Sequence, residues 1–281
     1  MKILIPFSQR LIRGENMRLR KFMLATVAAI LISGCGAGGG GGGNTVTTPE
    51  TQSKKDGFAY LNELRRGAGL KEFKYVGTIE KAAQAHTNYL NDVYARYGVD
   101  DGHYEPHESQ YKTGNTPHER KINAGWKWNH GEFYTIGGDE TISYIGGNDT
   151  IPYIKPLLTA IYHRTAILDP QMADVGIGLK TSDLPCCVID FGREMDVAKD
   201  STSIIVYPYS GEKDAWVYFG GREDPNPLTG TGLTTTGNPV SVEFNTAKIS
   251  NVTLKSFSLK DGSGAEVDIA LSLKSPMIKP G

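Results

Sequence analysis

The sequence predicts an α+β protein in which helices cover an antiparallel sheet and a small all-β module follows. Helical apolar spacing marks four segments between residues 56 and 162. β-like runs at 175–179, 186–191 and 203–209 come next, without the strand–helix rhythm that builds a parallel sheet. Past residue 209 helical patterning stops, and alternating runs at 240–244, 251–259 and 265–273 take over.

The first helix opens at Asp56, carries Phe58, Leu61 and Leu64 on one side, and is stopped by Gly67 and Gly69. Thr78 can cap the second, whose spacings of three and four put Ile79, Ala82, Ala83, His86, Leu90, Val93, Tyr94 and Tyr97 on one buried stripe. His86 is therefore expected in the core. Thr116-Pro117-His118-Glu119 is a capping box with proline at the first helical position, so a short third helix starts there. A fourth begins at Pro152 or Pro156 and runs through Leu157, Leu158, Ile161 and Tyr162. In the tail, Asp261-Gly262-Ser263-Gly264 reads as a hairpin turn. Gly, Thr, Asn and Pro dominate residues 225–239, which divides the chain into a body over 56–210, a linker over 211–239 and a partial β module over 240–281.

The N-terminus is an export signal. Arg18, Arg20 and Lys21 precede the apolar run 22–32, and Ser33-Gly34-Cys35 closes it. That run falls short of the roughly 20 apolar residues a spanning helix needs. Leu31-Ile32-Ser33-Gly34-Cys35 resembles the bacterial lipobox, whose cysteine takes a diacylglyceryl group and becomes the first mature residue. Residues 1–16 stand outside this pattern, which makes Met17 the expected start within a signal region over 1–35. Gly36 rather than aspartate after Cys35 points to the outer membrane if the cell is Gram-negative. Residues 36–41 fit G-x-G-x-x-G but lack the flanking strand and helix of a dinucleotide site. The segment 36–55 reads instead as a tether reaching about 25 Å.

Thirty basic against 31 acidic residues give a net charge of −1, so no basic field is present to hold nucleic acid. Cys186 and Cys187 are adjacent and cannot join distant segments; they are a vicinal disulfide or, the blander reading, two buried thiols on opposite faces of a strand. No G-x-S-x-G elbow and no papain-like cysteine context occurs.

Tyr60-Leu61-Asn62-Glu63-Leu64-Arg65-Arg66-Gly67, Ala82-Ala83-Gln84-Ala85-His86-Thr87-Asn88-Tyr89-Leu90, Gly102-His103-Tyr104, Tyr162-His163-Arg164 and Val175-Gly176-Ile177-Gly178 follow one another in an order that resembles bacterial members of the CAP (SCP-like) superfamily. The resemblance covers about residues 56–210 and implies an α-β-α sandwich. It also implies a cleft lined by two histidines and two glutamates, in some members occupied by zinc. Carried over position by position, the histidines are His103 and His163 and one glutamate is Glu140. Asp139 and Thr141 depart there from the family's Gly-Glu-Asn. The second glutamate has no counterpart, since 150–163 hold no carboxylate and Asp149 is the nearest acid.

Two imidazoles and one carboxylate could hold Zn2+ with an open fourth position. Without a second acid to act as general base, binding is favoured over catalysis. The expected function is a lipid-anchored envelope protein, attached to the bilayer through Cys35, that binds a hydrophobic or envelope-derived ligand. A metal-dependent hydrolase of peptide or peptidoglycan, and a structural or adhesive module, are the alternatives.

Overall fold

The computed structural model describes residues 2–5, 49–127, 140–267, 272–274 and 278–280. In chain order the elements are β1 (Lys2–Ile5), α1 (Pro49–Gly67), β2 (Lys74–Tyr75), α2 (Gly77–Tyr97), α3 (Pro117–Asn123), β3 (Glu140–Ser143), α4 (Thr150–Leu157), α5 (Ile161–Ile167), β4 (Met172–Lys180) and β5 (Cys186–Arg193). A 3-10 turn (Met195–Asp200) leads to β6 (Ile204–Tyr207), β7 (Val240–Phe244), β8 (Val252–Leu254), β9 (Ser272–Lys274) and β10 (Ile278–Pro280). Cys35 and most of the signal and tether lie outside the described residues. Among those described, no helix is long and apolar enough to cross a membrane.

The central sheet has the order β2-β4-β5-β3, with β4–β5 and β5–β3 antiparallel. Alternation along the strands assigns its two faces. Val175, Ile177 and Leu179 of β4 and Cys187, Ile189 and Phe191 of β5 join Leu61, Leu64, Tyr153, Ile154 and Leu157 of α1 and α4 in one buried cluster. Val188 of β5 packs with Ala83, Tyr89, Leu90 and Val93 of α2 on the opposite face. Helices thus cover both faces, and the chain is an α+β sandwich.

β4 turns Gly176 and Gly178 towards α2. A Cβ at Gly176 would stand 2.1 Å from Glu80 N, and one at Gly178 2.3 Å from Ala83 O. The Gly-x-Gly spacing therefore lets the α2 backbone lie directly on the strand. Cys186 and Cys187 are buried and unpaired. Burial pushes the Cys186 thiol up to about 12 and raises that of Cys187 as well.

Three expectations are corrected. Helix α1 starts at Pro49, so residues 49–55 are not tether. Ser53 Oγ lies 2.9 Å from Thr150 Oγ1 and accepts a 2.7 Å bond from Thr150 N, while Lys54 Nζ donates to Gln84 Oε1 at 2.8 Å. These are polar anchors, and an apolar pattern cannot announce them. The expected fourth helix is two helices, broken at residues 158–160, and His163 falls in the first turn of α5 rather than at a helix end.

Residues 211–239, expected as a linker, pack on the body at several points. Glu223 caps α5, with Oε2 accepting from Ile161 N at 2.6 Å and Oε1 from Tyr162 N at 2.7 Å. Buried Arg164 donates to Pro239 O at 2.8 Å and lies over the Tyr207 ring. Strand β7 then pairs antiparallel with β6, from Ile204↔Phe244 to Tyr207↔Ser241, so the β tail continues from the body. β1 pairs in turn with β7 and β9.

Candidate functional site

Two histidine–carboxylate pairs, His103–Glu140 and His163–Glu223, stand on this scaffold. Glu140 opens β3 and is almost completely buried. Its Oε1 meets His103 Nδ1 at 2.8 Å, and its Oε2 accepts from Arg120 Nη2 at 2.5 Å. Helix α3 delivers Arg120. Thr116 Oγ1 caps that helix on Glu119 N at 3.2 Å, while the Glu119 carboxylate accepts from Asn115 N at 2.7 Å, one residue before the usual capping-box partner. Burial pushes the Glu140 carboxyl up, but Arg120, then His86 and His103, more than reverse this and hold it well below the usual carboxylate range.

Behind this pair lies a closed polar core. His86 is fully buried, as its place on the stripe implied. Its Nδ1 lies 2.9 Å from Glu105 Oε1 and its Nε2 2.8 Å from Gly102 O. Gly102 O can only accept, so Nε2 carries a proton, and the ring lies between Glu105 and Glu140. Glu105, expected in a polar loop, is completely buried and also accepts from Thr113 N at 2.7 Å and Gly114 N at 3.1 Å.

Asp190 of β5 is the strand partner of Glu140 and is fully buried. Burial and then the Glu140 charge raise its carboxyl well above the usual range, and neither of its oxygens has a hydrogen-bond partner among the described residues. An acid inside the apolar run Cys186-Cys187-Val188-Ile189-Asp190-Phe191 was the signal for this residue. Arg120 carried no such mark, because a charge on a short surface-like helix looks solvated.

His163 stands apart from that core. Its Nδ1 faces Glu223 Oε1 at 3.3 Å, and its side chain is about one-third exposed. No hydrogen bond or ion pair joins His163 to His103 or Glu140. The structure pairs two of the three expected cleft residues with each other and the third with a different acid. Asp149 does not supply that acid: it precedes α4 without a side-chain cap and lines another concavity. Glu223 went unseen because it lies 60 residues downstream, in a stretch whose composition reads as linker.

The zinc set fits only in part. Glu140 has both oxygens engaged, by His103 and by the Arg120 cation, so it is no ligand. Among the described residues no group of three or more His, Cys, Asp or Glu is arranged to hold a metal ion. What does fit is the pairing of the imidazoles: each has Nδ1 on a carboxylate, the partner that a ligating histidine usually keeps.

His163 lines a groove of about 590 Å³ that also takes in Ile142, Tyr144, Leu157, Trp216 and Tyr218. That volume is in the range of small-molecule sites. One wall is β3 beyond Glu140 and the α4–α5 turn; the other is the segment 216–223. Phe219 anchors that segment through paired backbone bonds with Thr236, at 2.9 and 3.0 Å, and is 3% exposed. Trp216 and Tyr218 remain 41% and 58% exposed.

Comparison with known proteins adds the following. Residues 58–188 match the cysteine-rich secretory protein family, CAP. Two solved structures are similar at 19% identity. One is an extracellular protein containing an SCP domain from Bacillus anthracis str. Ames, with a TM-score of 0.40 over 52% of this chain and 41% of that one. The other is an outer surface protein from Borrelia burgdorferi, with a TM-score of 0.39 over 51% of this chain and 93% of that one. This chain thus spans well under half the length of the first. No curated protein matches.

Proposed function

We propose, for a chain that belongs to the CAP superfamily through residues 58–188, that it is a binding protein held on the cell envelope by a lipidated Cys35. Its ligand is hydrophobic or envelope-derived and lies in the groove between β3 and residues 216–223. The observation that carries this reading is the groove itself, a mainly apolar concavity with the imidazole of His163 on its wall. Glu140 supports binding over hydrolysis, because an acid tied to Arg120 and His103 is not at liberty to take a proton from water.

Organic extraction of the purified protein is expected to release an envelope-derived molecule that a Trp216→Ala/Tyr218→Ala variant no longer retains. Equal release from both proteins would remove the groove from the argument. Anchoring has its own test. One acyl chain binds a bilayer marginally and two or three hold it firmly. Cys35→Ser should therefore shift the protein from the membrane to the soluble envelope fraction, and a variant that stays with the membrane places the anchor elsewhere.

A further inference from the structure

We propose that the segment 216–223 is a recognition element for an acidic saccharide, with Arg222 reading the acid, Trp216 and Tyr218 stacking on the sugar rings, and His163 accepting from a hydroxyl. The inference rests on the groove reading above and names the ligand class it takes.

Each part has its own observation. The segment is tied down at Phe219, by its backbone pair with Thr236, and at Glu223, on the first turn of α5. Arg222 lies between these anchors, and Trp216 and Tyr218 directly precede the first. Trp216 and Tyr218 stay exposed although Phe219 beside them is buried, so the two rings form open platforms at the groove. An acyl chain gains most from a slot that strips water from all its surface. A sugar ring gains from one aromatic face under its C–H groups while its hydroxyls remain in water. The platforms suit the second.

The polar groups agree. Arg222 lines the groove and is exposed, and among the described residues no carboxylate pairs with it. A guanidinium is a planar fork of donors suited to a carboxylate. Glu223 is only 4% exposed at its side chain and accepts three bonds, two from backbone N–H groups and one from His163 Nδ1. A carboxylate accepts, so His163 Nδ1 donates to it and Nε2 is the ring nitrogen left for a ligand hydroxyl. A donor such as a hydroxyl satisfies it. The site thus offers one cation, one acceptor and two stacking faces, which matches a saccharide carrying a carboxylate.

The test is a titration of the intact protein in lipid nanodiscs, followed by tryptophan fluorescence. The probes are the disaccharide N-acetylglucosaminyl-N-acetylmuramic acid and its neutral counterpart, di-N-acetylchitobiose. The acidic sugar is expected to bind roughly tenfold more tightly than the neutral one, in line with a charge-assisted pair. Arg222→Ala should erase that preference while leaving neutral-sugar binding unchanged, and Trp216→Ala should weaken both. Equal affinity for the two sugars in the wild type, or a preference that survives Arg222→Ala, overturns the inference. So does a failure of either sugar to bind. If extraction still yields a groove-dependent ligand in that case, the binding function stands without the saccharide. If it yields none, both fall.

Discussion

Gly178→Ala is expected to leave little folded protein. The added methyl would lie 2.3 Å from Ala83 O and 2.4 Å from Ala83 C, both backbone atoms inside α2. A rotamer change cannot relieve a contact with a helix backbone, so α2 must lift from the sheet along β4. Overpacking of this kind costs about 1–3 kcal/mol where side chains can yield, and more where they cannot. A loss of about 4 kcal/mol is a large share of the roughly 5–15 kcal/mol that holds a domain together. Thermal melting followed by circular dichroism should therefore show Tm falling by about 10 °C or more, or no cooperative transition at all. Gly77→Ala is the control, since nothing lies within 4 Å of its Cβ. A Gly178→Ala protein that melts with the wild type would mean that α2 does not sit on the strand in this way.

The second large effect belongs to the buried charges. Arg120→Met removes the cation that faces Glu140 at 2.5 Å and leaves a buried carboxylate without its main partner. Breaking such a pair from one side costs about 3–5 kcal/mol, because the remaining charge stays desolvated. Denaturant melts at neutral pH measure it, and a loss under about 1 kcal/mol would place the pair in water.

Asp190 gives the same cluster a pH signature of opposite sign to that of Glu140. Glu140 has a depressed native pKa. Its contribution is complete above the unfolded value of about 4.3 and is lost as pH falls towards the native one. Asp190 has a raised native pKa. Its contribution is complete below about 3.9 and is lost as pH rises through the native value, where the unfolded chain has ionised and the native one has not. Asp190→Asn puts a permanently neutral side chain beside Glu140 and abolishes that loss. It should melt above the wild type at pH 8 and converge with it near pH 4. A variant less stable at every pH would show that Asp190 is ionised.

Much of the fold was legible. The α2 stripe, the Thr116 cap and the strand runs at 175–179 and 186–191 each express one local rule, helical period, cap chemistry or alternation, and each element formed where its rule put it. Where no local rule operates, the reading slipped. The N-terminal turns of α1 carry Ser53 and Lys54, whose partners Thr150 and Gln84 are 97 and 30 residues away. No periodicity encodes such bonds. The break between α4 and α5 was hidden because Leu157, Leu158 and Ile161 are apolar on both sides of it.

The site divides in the same way. By itself the sequence determined the α+β class, a buried His86, and the resemblance that singled out His103, Glu140 and His163, because those depend on residue type and near spacing. Only the tertiary structure decided who pairs with whom. It set Arg120 and Asp190 around Glu140, tied His163 to Glu223 from a stretch that reads as linker, and stood Trp216 and Tyr218 beside His163 as a groove wall. Desolvation explains the division: a buried charge must find a partner from whatever segment the packing brings near, and that segment lies 20 residues away for Arg120 and Glu140 and 60 for His163 and Glu223.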